Sequence, residues 1–200
     1  MTGGNGRRSN RERSEETRRR LIQAARRAFA EKGYAATGTP ELVAATGLSR
    51  GALYHQFPDK AALFRAVLED AQQEVVAAIE AAADAAPDAL TALRRGSRAF
   101  VAACMRPGIR RIVLIDGPAV LGWQVWREVD AAHGLGTLIA GLDALAEAGR
   151  LRPGLTVQAT ALLLSGALNE AALAASEGRL GHAEIGNAID ALLDGITRPA

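Results

Sequence analysis

Arg50, Tyr54 and His55 lie within six residues of one another in the segment TGTPELVAATGLSRGALYHQFPDK, residues 37 to 60, and their side chains suit a polyanion better than a reacting centre. A guanidinium can grip the O6 and N7 of guanine with two parallel hydrogen bonds, and a phenol and an imidazole one turn further along can reach phosphate or base edges. Ser49, just before them, sits where a hydroxyl and the first free amides of a helix can hold a phosphate oxygen, helped by the positive end of the helix dipole. Groups fit for other chemistry are sparse. The three histidines are scattered at 55, 133 and 182, the single cysteine is Cys104, and no Ser/His/Asp, Cys/His, metal-triad or nucleotide-loop pattern is present. Gly134-Leu135-Gly136 imitates part of a phosphate loop but no strand precedes it.

The elements that position these groups are helical. Thr39-Pro40 opens a short helix, with Thr39 as its cap, running to about Thr46. Gly47 supplies a turn, and Ser49 caps a second helix from Arg50 to about Gln56. Leu42, Leu48 and Leu53 are spaced to pack inward, so the pair reads as a helix-turn-helix whose second helix is short enough for only a few side chains to enter a major groove. Upstream, Leu21, Ile22, Ala25, Ala28 and Phe29 mark one face of a helix that Ser14 caps and Gly33 ends. Downstream, Pro58-Asp59 breaks the chain before a fourth helix near Lys60. Residues 1 to 14 hold no apolar residue after Met1 and are expected to be a disordered basic arm; Arg7 to Arg20 carries seven arginines, either a solvated tail or an arm that tracks phosphates. Up to Lys60 the chain has 12 Lys+Arg against 6 Asp+Glu, and from Ala61 on 12 against 16, so the basic half is the one that meets a polyanion.

Residues 15 to 64 resemble the DNA-binding domain of the TetR family, the tetracycline-repressor-like regulators. The resemblance rests on Ile22, Ala25, Ala28 and Phe29, on Gly33-Tyr34 with Thr37, on Gly47-Leu48-Ser49-Arg50-Gly51-Ala52-Leu53-Tyr54, and on His55-Gln56-Phe57-Pro58-Asp59-Lys60 with Leu63-Phe64. Val43 and Gly38 depart from the usual pattern, which leaves Thr39 as the hydroxyl at that place. The resemblance implies an all-α protein: a three-helix helix-turn-helix domain over 15–64 (motif about 37–56), joined by a long fourth helix to a helical bundle over 65–200 that binds a small-molecule effector and dimerises. It implies DNA contact by Thr39, Ser49, Arg50, Gly51, Tyr54, His55 and Lys60, with Tyr54 and Lys60 on phosphate. It also implies a ligand-responsive repressor that acts as a homodimer on a palindromic double-stranded operator, with no catalytic or metal site.

Beyond residue 64 the resemblance is architectural, although residues 115–123 look like one subset of these regulators. Glycine and proline breaks predict helices near 88–105, 108–115, 118–132, 135–148, 155–177 and 182–196. Phe100, Cys104, Met105, Trp123, Trp126 and Asn169 are the candidate pocket residues, with core packing the default reading for the tryptophans and an inert apolar filler that for Cys104. The helices near 155–177 and 182–196, rich in Ala and carrying Leu162, Gly166, Asn169 and Leu173, are the expected dimer interface. A lone cysteine, no apolar leader behind the N-terminal arginines and no stretch of ~18 uninterrupted apolar residues point to a cytoplasmic protein without a membrane partner. Two other classes remain open: an enzyme or ligand carrier on a helical scaffold, and a nonspecific architectural DNA binder.

Overall fold

The computed structural model describes residues 10–198, and the chain divides after Val67 into two compact units. The first nine residues of the expected basic arm lie outside the described part.

The first unit is built on α1 (Asn10–Lys32), whose Leu21, Ala24, Ala25 and Phe29 recur at helical spacing and are buried. Gly33, at φ 84°, ends it and donates its amide to the Phe29 carbonyl at 2.9 Å. The helix begins before Ser14, so Asn10 to Ser14 are helical rather than part of an irregular arm, and Ser14 is not the cap. Local polar bonds carry this turn in the absence of apolar residues: Arg11 pairs with Glu15 at 2.9 Å and the Thr17 hydroxyl donates to the Arg13 carbonyl at 2.8 Å. Next come α2 (Thr39–Thr46) and α3 (Arg50–Gln56), both packed on α1. Their buried Leu42 and Leu53 join Phe57, Leu63 and Phe64 in one core. Phe29, Tyr34 and Phe64 form a triangle with centroids 5.2 to 5.7 Å apart, in which Phe64 meets both other rings edge-to-face.

A single helix, α4 (Lys60–Asp84), runs from the first unit into the second. The second unit continues with α5 (Ala89–Cys104), α6 (Pro107–Arg110), a π-helical turn over Arg111–Asp116, α7 (Gly117–Ala132), α8 (Gly134–Glu147), α9 (Val157–Ser176) and α10 (His182–Ile196). Its centre is the mutual packing of α5, α8 and α9, with α10 laid on α5. Asp88 caps α5 by accepting the Thr91 amide at 2.9 Å, and Thr156 caps α9 through the Ala159 amide at 3.4 Å. Small residues let α8 approach closely: a Cβ on Gly141 would stand 2.6 Å from Leu93 Cδ2. Arg94 and Arg98 on α5 pair with Asp190 on α10, and Arg94 also reaches Asp194.

Two sequence expectations are corrected here. The helix expected over 108–115 is one turn of α6 followed by the π-turn, which continues straight into α7 because Pro118 falls in the first turn of that helix, where proline is tolerated. The helix expected over 118–132 is kinked at Gly122, whose φ of 77° and ψ of 158° suit glycine alone. Among the described residues extended pairing is limited to one isolated bridge, Leu151 with Thr197. One helix, α9, is long and apolar enough to cross a membrane by length and composition; its buried side packs on α5 and α8.

Candidate nucleic-acid interface

The turn between α2 and α3 is made by Gly47 at φ 66°, a left-handed conformation in which its amide bonds the Val43 carbonyl at 3.1 Å. Thr46, buried at the end of α2, donates its hydroxyl to Leu42 and Val43 carbonyls at 3.1 and 3.0 Å and accepts the Leu48 amide at 3.4 Å. Ser49 caps α3, accepting the Ala52 amide at 3.1 Å; its hydroxyl hydrogen stays available to an incoming oxygen. Gly38, not Thr39, is the cap of α2: Thr39 and Pro40 occupy the first helical positions. Leu42 and Leu53 are buried as their spacing predicts, and Leu48 is half-buried.

Three struts lock this pair to α1. Arg20 donates to the Thr46 carbonyl at 2.6 Å, Gln56 Nε2 to the Ser14 hydroxyl at 2.8 Å, and the Arg18 guanidinium stacks over the Phe57 ring at 4.4 Å. None of these bonds carries a sequence signature, because side chains that bridge different helices have no fixed spacing.

With α3 held in this way, Ser49, Arg50, Gly51, Tyr54 and His55 are all exposed, and Thr39 is half-buried beside them. The Arg50 guanidinium lies 5.5 Å from the centre of the Tyr54 ring. Arg50 first, and Thr39 second, hydrogen-bond the Tyr54 hydroxyl and hold its pKa below the usual phenol value. Residues from the starts of both helices thus form one polar group on an open face. Lys60 opens α4 and also has partners within the protein. Its ammonium donates to the carbonyls of Tyr34 at 2.8 Å and Thr37 at 2.9 Å and sits 4.0 Å from the Tyr34 ring centre. Thr37, itself buried, donates to the Gly33 carbonyl at 2.8 Å. Lys60 therefore braces the loop that leads into α2, and one of its three N–H donors remains for any phosphate.

The second unit holds a cavity of about 240 Å³ between the C-terminal part of α4, α5 and α8, walled by Ile79, Leu93, Phe100, Leu138 and Leu168. Of the pocket candidates, Phe100 lines it and the other five do not. Trp126 is core, its indole N–H donating to the Val113 carbonyl at 2.7 Å, whereas Trp123 is 67% exposed and stacked on Trp126 at 4.9 Å. Cys104 is fully buried, and burial first, with the Asp130 charge second, pushes its thiol up to about 12. Met105 ends α5, and Asn169 has a buried Oδ1 with no hydrogen-bond partner. Sequence spacing missed a buried polar group beside the cavity, comprising Gln72, Asp130 and Ser165: Asp130 accepts from Arg127 at 3.2 Å and from Ser165 at 3.4 Å, and burial raises its carboxyl above the usual range. A second, more open groove of about 460 Å³ lies between α9 and α10, walled by Leu164, Leu168, Ile185, Ile189 and Leu193.

The fold and this face define a helix-turn-helix protein with a separate helical second unit. Residues 21–67 match the family described as bacterial regulatory proteins, tetR family, and residues 90–196 match the tetracyclin repressor-like C-terminal domain. The chain belongs to the TetR family of transcriptional regulators. A TetR-family regulator from Pectobacterium atrosepticum is 35% identical over 96% of this chain and 100% of its own, with a TM-score of 0.73. One from Mesorhizobium loti is 26% identical over 92% and 96%, with a TM-score of 0.69. Among curated relatives, the transcriptional repressor Rv1474c of Mycobacterium tuberculosis is 43% identical over 60 residues, 30% of this chain and 32% of its own. The repressor AcnR of Corynebacterium efficiens is 44% identical over 54 residues, 27% and 29%. The chain thus matches about a third of the length of these curated relatives. FadR of Bacillus subtilis, solved in complex with stearoyl-CoA, shares the fold at 17% identity, covering 88% of this chain and 96% of its own with a TM-score of 0.69.

Proposed function

We propose that this chain is a cytoplasmic, ligand-responsive repressor that binds a palindromic operator as a homodimer through α9 and α10. The observation that carries the reading is the outward group formed by Arg50 and Tyr54 on a braced α3 with Thr39 at the start of α2. Arg50 reads guanine, Tyr54, Thr39 and the Ser49 hydroxyl take phosphates, His55 reaches the next backbone or base position, and Gly51 lets the helix come close to the duplex. Lys60 supports these contacts chiefly by holding the loop before α2 and adds one donor to phosphate. Dimerisation is supported by Leu162, Leu163 and Leu192, which are 51%, 75% and 50% exposed on α9 and α10 in the isolated chain. Two-fold symmetry then sets the two recognition helices about 34 Å apart, one turn of DNA. An effector in the second unit acts by binding one conformer better than the other, and α4, which both units share, is the element through which that preference reaches α3.

The test is a comparison of two variants by fluorescence anisotropy on an operator selected from random sequence. Arg50→Ala should lose about 1–3 kcal/mol of discrimination at one base pair while retaining binding to unrelated duplex. Lys60→Ala should weaken both duplexes alike. Equal losses on both duplexes for both variants would contradict the assignment of Arg50 to base reading.

A further inference from the structure

The two flanks of α3 are served by different elements. At 3.6 residues per turn each step along a helix rotates the side chain by about 100°. Tyr54 and Gln56 therefore leave the axis about 200° apart, with His55 between them and Leu53 turned into the core. On the Tyr54 flank stands Thr39, at the start of α2, hydrogen-bonded to the Tyr54 hydroxyl; the Lys60 ammonium holds the Thr37 carbonyl two residues earlier. On the Gln56 flank stands α1. Gln56 Nε2 donates to the Ser14 hydroxyl at 2.8 Å, and Arg18, one turn further along α1, lies 4.4 Å over the ring of Phe57.

A helix with its side chains is about 10–12 Å across and the major groove of B-DNA about 12 Å wide, so a helix lying in the groove fills it. Elements packed on the two flanks of that helix then meet the two phosphate backbones that border the groove. Thr39, Tyr54 and Lys60 all serve one border, and Ser49 acts from the tip of the helix. The other border falls to α1.

Arg18 is suited to it. Its guanidinium is exposed, and among the described residues no carboxylate or carbonyl takes a hydrogen bond from it. Its neighbours differ: Arg11 pairs with Glu15, Arg19 with Glu16, and Arg20 donates to the Thr46 carbonyl. Stacking on Phe57 occupies the face of the guanidinium and leaves its N–H edge open. A planar fork held in this way can grip a phosphate with two parallel hydrogen bonds and loses little freedom in doing so.

Resting on the reading of α3 as the helix that enters the groove, we propose that Arg18 is a phosphate-binding residue of the DNA interface, gripping the backbone on the border opposite Tyr54. Phe57 is the platform that orients its guanidinium, and the bond between Gln56 and Ser14 ties this stretch of α1 to the end of α3. The first helix is then part of the interface as well as its support. A contact of this kind adds affinity without base preference.

The test uses the full chain with Arg18→Met, which removes the charge and keeps an apolar cover on Phe57, and Arg18→Lys, which keeps a charge and loses the fork. Anisotropy over a salt series is read on a selected operator and on unrelated duplex, and ethylation interference maps the phosphates that matter on the operator. Each phosphate contact contributes ~0.9 to the slope of log affinity against log salt, so two copies of Arg18→Met should lower it by about 2. Affinity near physiological salt should fall about 10-fold or more on both duplexes, with their ratio and the melting temperature unchanged. Arg18→Lys should regain most of the slope. Interference on one border of the groove should vanish in Arg18→Met and persist on the border served by Tyr54, whereas Tyr54→Phe should do the reverse. An unchanged slope and map in Arg18→Met would overturn the proposal and, with a lower melting temperature, leave Arg18 a cover for Phe57. A changed base preference would overturn it too. A parent that does not tell the operator from unrelated duplex overturns the regulator reading alone, because the slope on unrelated duplex still decides what Arg18 does.

Discussion

Arg50 and Lys60 are ten residues apart and both cationic, yet they do different work. Arg50 is exposed and lies against the Tyr54 ring, so its removal should leave folding nearly unchanged. Lys60 holds two carbonyls that otherwise lose a charged donor, and Lys60→Met should destabilise the protein by about 1–3 kcal/mol in urea denaturation. A Lys60 variant as stable as the parent would make this residue a pure phosphate contact. Cys104 has neither exposure nor a thiolate near neutral pH, and should resist alkylation by iodoacetamide at pH 8 until the chain is unfolded. Asp130 gives a pH signature. Its folded carboxyl lies above its unfolded value of ~3.9, so its stabilising contribution is full below that value and is lost as pH rises through the folded one. The parent should therefore gain stability relative to Asp130→Asn as pH is lowered from 7 towards 4. A pH-independent difference between the two would remove burial as the cause.

At the scale of elements, what could be read from sequence followed from local rules. Thr39–Thr46 and Arg50–Gln56 have the expected bounds, because Pro40, Gly47 and Ser49 act through their own backbone geometry. The start of α1 was not legible, since cross-helix bonds such as Gln56 to Ser14 decide whether a polar turn stays helical. The same holds for the Lys60 brace and for the pocket: Cys104 and Trp126 have the composition of cavity residues but the packing of core, and only tertiary contact separates the two. The glycines at 117 and 122 act differently. Gly122 is a kink in left-handed backbone, and Gly117 is a point of close approach, where a Cβ would stand 2.8 Å from Trp126 Cδ1 and 3.0 Å from the Ile112 carbonyl. Gly117→Ala should cost about 1–3 kcal/mol from overpacking, despite alanine's better helix propensity. A neutral effect in thermal unfolding would mean that Trp126 moves aside freely.

At the scale of the whole molecule the account requires two copies. Leu163 is 75% exposed on α9, so Leu163→Glu should leave a single chain folded while turning a dimer into a monomer by light scattering. A parent that is monomeric at micromolar concentration would rule out a two-fold operator. The second unit is acidic where the first is basic, so its charge does not favour contact with a polyanion. The most direct test of the central claim is the affinity of the full chain for a site selected from random duplex, measured against unrelated duplex of equal length at the same salt concentration. The account predicts a two-fold symmetric site bound at least ~10³-fold more tightly than unrelated DNA. A ratio near one would contradict it and leave the chain a nonspecific DNA binder.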